Sequence, residues 1–107
     1  MSVLIIEKSG YENPSPGAYP ATFQGLETIE TQKGKCYRWV WTLDTGKTVS
    51  GLSDIKVTDQ NKTGRWLAGL AGKPVVAGLS VDPAAYVGKR YTLIWGDKAL
   101  TTLTPIA

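Results

Sequence analysis

The feature that most constrains this chain is a run of bulky side chains that alternate with small or polar ones. The bulky residues, at every second position, are Tyr37, Trp39, Trp41 and Leu43. Successive side chains of a β-strand point to opposite faces, so this spacing predicts a strand over residues 35–43 with one buried face. The opposite face would be open to solvent or to a ligand, and it carries Cys36, Arg38, Val40 and Thr42. We expect a central strand that separates the core from a possible site.

Length and composition bound the architecture. The chain has 107 residues, the size of one domain that buries a core without disulfides. It is 42% hydrophobic, and four tryptophans add large apolar area. We expect one domain over residues 1–107, in which residues 1–16 form an irregular or arm-like segment.

Charge and reactive residue types narrow the function classes. Twelve Lys or Arg residues against nine Asp or Glu give a net charge of +3, a mild preference for anionic partners. There is no histidine and only one cysteine, so the commonest general base and the usual zinc ligands are missing. We expect no catalytic residues, no metal and no cofactor, and we interpret Cys36 as a small strand residue.

Several features favour a cytoplasmic location. A single cysteine forms no internal disulfide, which is typical of a reducing compartment. The longest apolar runs, residues 3–6 and 74–79, fall far short of the roughly 20 residues that span a bilayer. No basic segment precedes the first of them, as a signal peptide would require. The sequence therefore predicts a cytoplasmic protein with no membrane partner.

Turn signals divide the first half of the chain into three strands. A long strand is predicted over residues 19–31, with a bulge at Gly25, and a turn with two lysines follows at residues 32–35. The aromatic strand comes next. A second turn at residues 44–47 then leads into a third strand over residues 48–52.

One helix and two further strands complete the pattern. The helix has an apolar stripe at helical spacing, formed by Trp66, Leu67 and Leu70. Asn61 or Thr63 would cap its start, and Gly72 would end it. Two strands are predicted after it, over residues 91–95 and 100–106, with a tight turn at residues 96–98.

This order of elements occurs in five-stranded Greek-key barrels of the oligonucleotide/oligosaccharide-binding (OB) type. Over residues 17–106 the chain resembles small OB-fold proteins of phages and bacteria that bind single-stranded nucleic acid. The segments that carry the resemblance are Gly17-Ala18-Tyr19, Tyr37-Arg38-Trp39-Val40-Trp41, Val49-Ser50-Gly51-Leu52, Lys62-Thr63-Gly64-Arg65-Trp66-Leu67 and Val87-Gly88-Lys89. The resemblance implies a mainly β protein, a closed five-stranded barrel with one short helix between strands 3 and 4.

The resemblance also implies where a ligand would bind. OB barrels bind on the face of strands 2 and 3, between the loops that join strands 1 to 2 and 4 to 5. Here these loops are the turns at residues 32–35 and 96–98. Binding of single strands needs cations for phosphates and aromatic faces for bases. The predicted nucleic-acid site comprises Lys33, Lys35, Arg38, Val40, Thr42, Lys47, Trp95 and Lys98.

The aromatic residues have two interpretations. Tyr37, Trp39 and Trp41 cannot fill the core and also serve as stacking faces, and their alternation favours the core, as does the helical position of Trp66. For Tyr91 and Trp95 both interpretations, a place in the core and a place in the site, remain open. The basic residues around the helix, interpreted as a solvated face, are Lys56, Lys62, Arg65 and Lys73.

Our leading hypothesis is a non-catalytic OB-fold module that binds single-stranded nucleic acid weakly and without sequence preference. Nucleotide hydrolysis is rejected, because Trp41 stands where a phosphate-cradling loop ending at Gly46-Lys47-Thr48 would need its first glycine. The alternative is a protein-interaction or assembly module. There the barrel face, or the apolar arm at residues 3–6, would dock a protein partner or form a homodimer.

Overall fold

The computed structural model describes residues 14–97 and 99–106. Within them, five antiparallel strands form one sheet and one α-helix packs against it. The bounds are β1 Gly17–Thr31, β2 Gly34–Leu43, β3 Thr48–Asp54, α1 Lys62–Ala71, β4 Arg90–Trp95 and β5 Leu100–Pro105, with a 3₁₀ helix at Pro83–Tyr86. The expected mainly β architecture and the order of its elements are confirmed.

β1 is the middle strand of the sheet. The strands lie in the order β3-β2-β1-β4-β5, so the prediction that the aromatic strand β2 is central is wrong. The reason is the length of β1, whose 15 residues pair with β4 over Gly17–Thr22 on one side and with β2 over Ala21–Thr31 on the other. The register shifts between Phe23 and Gly25, where the bulge was predicted.

The sheet is not closed into a barrel, so the expected closed barrel is wrong. β3 and β5 are its two edges, and no ladder joins them in the described part of the chain. Trp66 of α1 fills the space between them instead. Its indole N–H donates a hydrogen bond to the Thr101 carbonyl oxygen of β5 at 3.1 Å, and its ring lies directly against Gly51 of β3.

The large residues of β2 fill the core, as the alternation predicted. Trp39 and Trp41 are fully buried. Trp39 packs edge-on against Trp66 with 5.4 Å between ring centroids, and Trp41 lies 4.8 Å from Phe23. The Trp39 indole N–H donates to the Ser53 hydroxyl at 2.7 Å, so this buried polar group is satisfied. Tyr37 is half-buried at the margin of this core.

Both ends of α1 are held as local capping rules predict. The Asn61 side chain accepts a hydrogen bond from the Gly64 N–H at 2.9 Å, and Gly72 ends the helix in the left-handed conformation. At the carboxyl end, the buried Tyr91 hydroxyl of β4 donates to the Leu70 carbonyl oxygen at 2.8 Å. Within residues 14–97 and 99–106, no helix has the length and apolar character needed to cross a bilayer.

We expect Gly51→Ala to destabilise the protein by about 1 to 3 kcal/mol, because an overpacked core costs that much. A Cβ atom at position 51 would lie 2.8 Å from the Trp66 ring and 3.2 Å from the Leu100 side chain. The measurement is urea denaturation followed by tryptophan fluorescence. Ser50→Ala, on the other face of β3, is the control and should change stability by less than about 0.5 kcal/mol. An unchanged or higher stability for Gly51→Ala would contradict this packing.

Tyr91→Phe should lower stability at pH 7 by about 1 to 2 kcal/mol, because it leaves the buried Leu70 carbonyl oxygen without a donor. Burial raises the pKa of Tyr91 to about 12, and the neighbouring Tyr86 adds to the effect. The folded state thus favours the neutral phenol. The stability that this preference contributes is complete below pH 10 and is lost as the pH rises toward 12. The measurement is denaturation of both proteins at pH 7 and pH 11. The difference in unfolding free energy between the wild type and Tyr91→Phe should be about 1 kcal/mol smaller at pH 11. A gap that stays constant would contradict the raised pKa.

Candidate nucleic-acid interface

The residues predicted to bind nucleic acid lie in separate places. Lys33 and Lys35 are at the β1–β2 turn, whereas Lys47 is in the β2–β3 turn at the other end of β2. A strand of ten residues is about 30 Å long, so these lysines do not share one local site. Trp95 is 2% exposed within the core and offers no face to a base. Lys98 lies outside the described residues.

The outer face of β2 holds the remaining three predicted residues, Arg38, Val40 and Thr42, all of them half-buried. The Arg38 guanidinium lies 3.6 Å from the carboxylate of Glu27, its partner in the ladder with β1. Thr42 pairs with Thr22 of β1 on one side and with Thr48 of β3 on the other. In the described ranges, the outer face of β1, β2 and β3 carries no aromatic side chain. The described residues of this face therefore offer no stacking surface of the kind that single-strand binding uses.

Lys33 and Lys35 instead line a cavity of about 300 Å³ together with Lys62, the first residue of α1. We call this cavity the lysine cleft. It lies where the β1–β2 turn, the end of β3 and the start of α1 meet. Its wall also includes Cys36, Ser53, Asp54 and Thr63. The structure thus brings two of the predicted cations together with one from the helix.

Two local hydrogen-bond systems position the cleft. In the β1–β2 turn, the Thr31 hydroxyl donates to the Gly34 carbonyl oxygen at 2.9 Å and accepts from the Lys33 N–H at 3.2 Å. At the opposite wall, the buried Thr63 hydroxyl donates to the Asp54 carbonyl oxygen at 2.6 Å. The second bond fixes the first turn of α1 to the end of β3. It thereby places Lys62 beside the β1–β2 turn.

Lys62 has a defined position rather than that of a free surface lysine. Its ammonium lies 5.0 Å from the centroid of the Trp66 ring, a cation–π distance. The interpretation of Lys62 as part of a solvated helix face is therefore incomplete, since it is also a wall of the cleft. In the sequence the only local signal for this role is its position directly after the Asn61 cap.

The electrostatics of the cleft favour an anion. Among the described residues, three ammonium groups line it against one carboxylate, that of Asp54. The amino end of α1, which has no acidic residue in its first turn, adds partial positive charge. Glu30 lies opposite Lys35 in the ladder but does not line the cleft. A lysine contact to a phosphate carries no sequence information, so a phosphate held in this cleft would be held without sequence preference.

Two further properties of the described residues bear on chemistry. No three His, Cys, Asp or Glu side chains among them lie close enough to hold a metal ion. Cys36, a half-buried free thiol, is the only cysteine of the chain and lines the lysine cleft. It therefore provides a single native position for chemical labelling.

Comparisons with known proteins leave the family of this chain open. No model of a known protein family matches it, and no curated protein is similar to it at a significant level.

Proposed function

We propose that the protein is a non-catalytic module that binds single-stranded nucleic acid weakly and without sequence preference, with phosphate groups in the lysine cleft. The observation that carries this proposal is the convergence of Lys33, Lys35 and Lys62 on one cavity. Lys33 and Lys35 are neighbours at the β1–β2 turn, whereas Lys62 comes from α1, far along the chain. A single strand of nucleic acid is the common extended polyanion that such a cleft fits.

The strand order supports an OB-type fold as part of this proposal. OB barrels are five-stranded, partly open and of Greek-key connection. Pairing of β3 with β5 would close the order β3-β2-β1-β4-β5 into a cylinder, and Trp66 already bridges these two edges. The helix lies in the chain between β3 and β4, as the resemblance implied.

The small number of cations explains why we propose weak binding. For single strands, each phosphate contact adds about 0.7 to the slope of log affinity against log salt concentration. Three contacts would give a slope of about −2, well below that of strongly basic nucleic-acid binders. Affinity should therefore be measurable at low salt and fall steeply toward physiological salt.

The cleft predicts which lysines matter. The double variant Lys33→Gln, Lys35→Gln should weaken binding of a fluorescein-labelled oligothymidine at low salt and reduce the salt slope by about 1.4. The matched control, Lys47→Gln with Lys73→Gln, changes the net charge equally but leaves the cleft intact, and it should keep most of the slope. Fluorescence anisotropy over a salt series measures both. Equal losses in the two variants, or wild-type binding that does not depend on salt, would contradict the proposal.

Cys36 should be protected by the ligand. Bound oligothymidine is expected to slow alkylation of Cys36 by N-ethylmaleimide several-fold at low salt, with mass spectrometry of the intact protein as the measurement. High salt should remove the protection, because it dissociates the phosphates. The matched control carries Cys36→Ser and Ser50→Cys, which moves the thiol along the outer face of the sheet, from the cleft to the middle of β3. Protection at position 50 but not at Cys36 would place the ligand away from the lysine cleft.

The alternative function, a protein-interaction or assembly module, stays a prediction. The apolar arm at residues 3–6, on which the homodimer depends, lies outside the described residues. We also propose a cytoplasmic location, which suits the free thiol of Cys36.

A further inference from the structure

A second cavity, of about 370 Å³, lies at the other end of α1. It forms where the last turn of the helix meets the segment before β4 and the end of β5. The side chains in it that are able to recognise a ligand are Tyr86, Lys89 and Arg90, and no acidic residue lines it among those that the structure describes. We call it the tyrosine pocket.

We propose that the tyrosine pocket is a second nucleotide-binding site for the same single-stranded ligand, in which a base stacks on Tyr86 and a phosphate contacts Lys89. This inference rests on the proposed function. It supplies the aromatic contact that the outer face of the sheet lacks in the described residues. Recognition of a nucleotide needs both a π-face and a cation, and this pocket combines them.

Tyr86 is suited to stacking because it is only half-buried. Most other aromatic side chains of the described residues are buried in the core, namely Phe23, Trp39, Trp41, Trp66, Tyr91 and Trp95. Tyr19 and Tyr37 are also half-buried, but neither lines the tyrosine pocket. Tyr86 lines a cavity that also contains basic side chains.

The backbone that carries Tyr86 and Lys89 is fixed to β1. The Gly88 N–H donates to the Phe23 carbonyl oxygen at 2.8 Å, and the Phe23 N–H donates to the Lys89 carbonyl oxygen at 3.0 Å. A third bond, from the Lys89 N–H to the Tyr86 carbonyl oxygen at 3.1 Å, closes the turn. A site held in this way loses little conformational entropy when a ligand binds.

The charges in the pocket assign the phosphate contact to Lys89. The Arg90 guanidinium is 2.6 Å from the Asp44 carboxylate, and this hydrogen-bonded pair raises the pKa of Arg90. Both Lys89 and Arg90 are exposed, but Arg90 is engaged with Asp44, so the phosphate contact is assigned to Lys89. Of the helix carbonyls at this end, whose partial negative charge would repel an anion, those of Ala68, Gly69 and Leu70 accept hydrogen bonds.

The spacing of the two cavities suits one strand. The helix contributes Lys62 and Thr63 to the lysine cleft, and it contributes Leu70 and Ala71 to the tyrosine pocket. Eight residues separate the corresponding positions, which is about 12 Å along a helix axis. A strand of several nucleotides covers that distance, within the roughly 4 to 16 nucleotides that one OB fold occupies.

The test compares Tyr86→Leu, which keeps an apolar side chain but removes the ring, with Tyr86→Phe, which keeps the ring. Oligothymidine binding at low salt should weaken by about fivefold or more in Tyr86→Leu and change less than about twofold in Tyr86→Phe. Lys89→Gln should reduce the salt slope by about 0.7. Equal losses in the Leu and Phe variants, or none in Tyr86→Leu, would overturn the stacking site.

A measurement on the unaltered protein guards against variants that fold poorly. In two-dimensional amide NMR, titration with oligothymidine should shift the signals of Tyr86, Gly88 and Lys89, and unmoved signals at saturation would overturn the inference.

The results that would contradict the lysine cleft differ from those that would contradict the tyrosine pocket. Loss of affinity in Tyr86→Leu but not in the double Lys33 and Lys35 variant keeps this site and removes the lysine cleft. The reverse result removes this site alone, and absence of any binding by the wild type removes both.

Discussion

The structure depends on the packing of one indole between two strands that do not pair. Trp66 contacts Gly51 on β3, hydrogen-bonds to Thr101 on β5 and meets Trp39 edge-on. A five-stranded sheet with two open edges would otherwise expose its aromatic face to water. Because the missing side chain at Gly51 makes room for the ring, the helix fits closely where a ladder between strands would have closed the sheet.

The same helix connects the fold to the proposed interface. Its first turn is held to β3 through Thr63 and Asp54, and its last turn is held to β4 through Tyr91 and Leu70. Each attachment borders one of the two cavities, so the contacts that dock the helix also set the position of the side chains around them. A change in how Trp66 packs would therefore affect both cavities together.

Burial explains why cations and aromatic surface are separated in this protein. Large rings remove the most apolar area from water, so the sheet buries all three of its tryptophans and leaves threonine, valine and an ion pair outside. Positive charge collects instead at turns and at the helix start, where lysines keep their hydration. In the proposed function, an aromatic contact for a base would come from a half-buried ring such as Tyr86, in the 3₁₀ helix before β4 rather than on the sheet.

Local rules in the sequence determined most of the elements. The alternation in β2, the bulge near Gly25 and the caps at Asn61 and Gly72 depend on residues within about four positions of each other, and all were predictable. The open edges of the sheet, and the burial of Trp95, were decided only by tertiary packing. So was the position of Lys62 beside the β1–β2 turn. These features arise between residues far apart in the chain, as in the bond from Trp66 to Thr101, and no short-range pattern encodes such a distance.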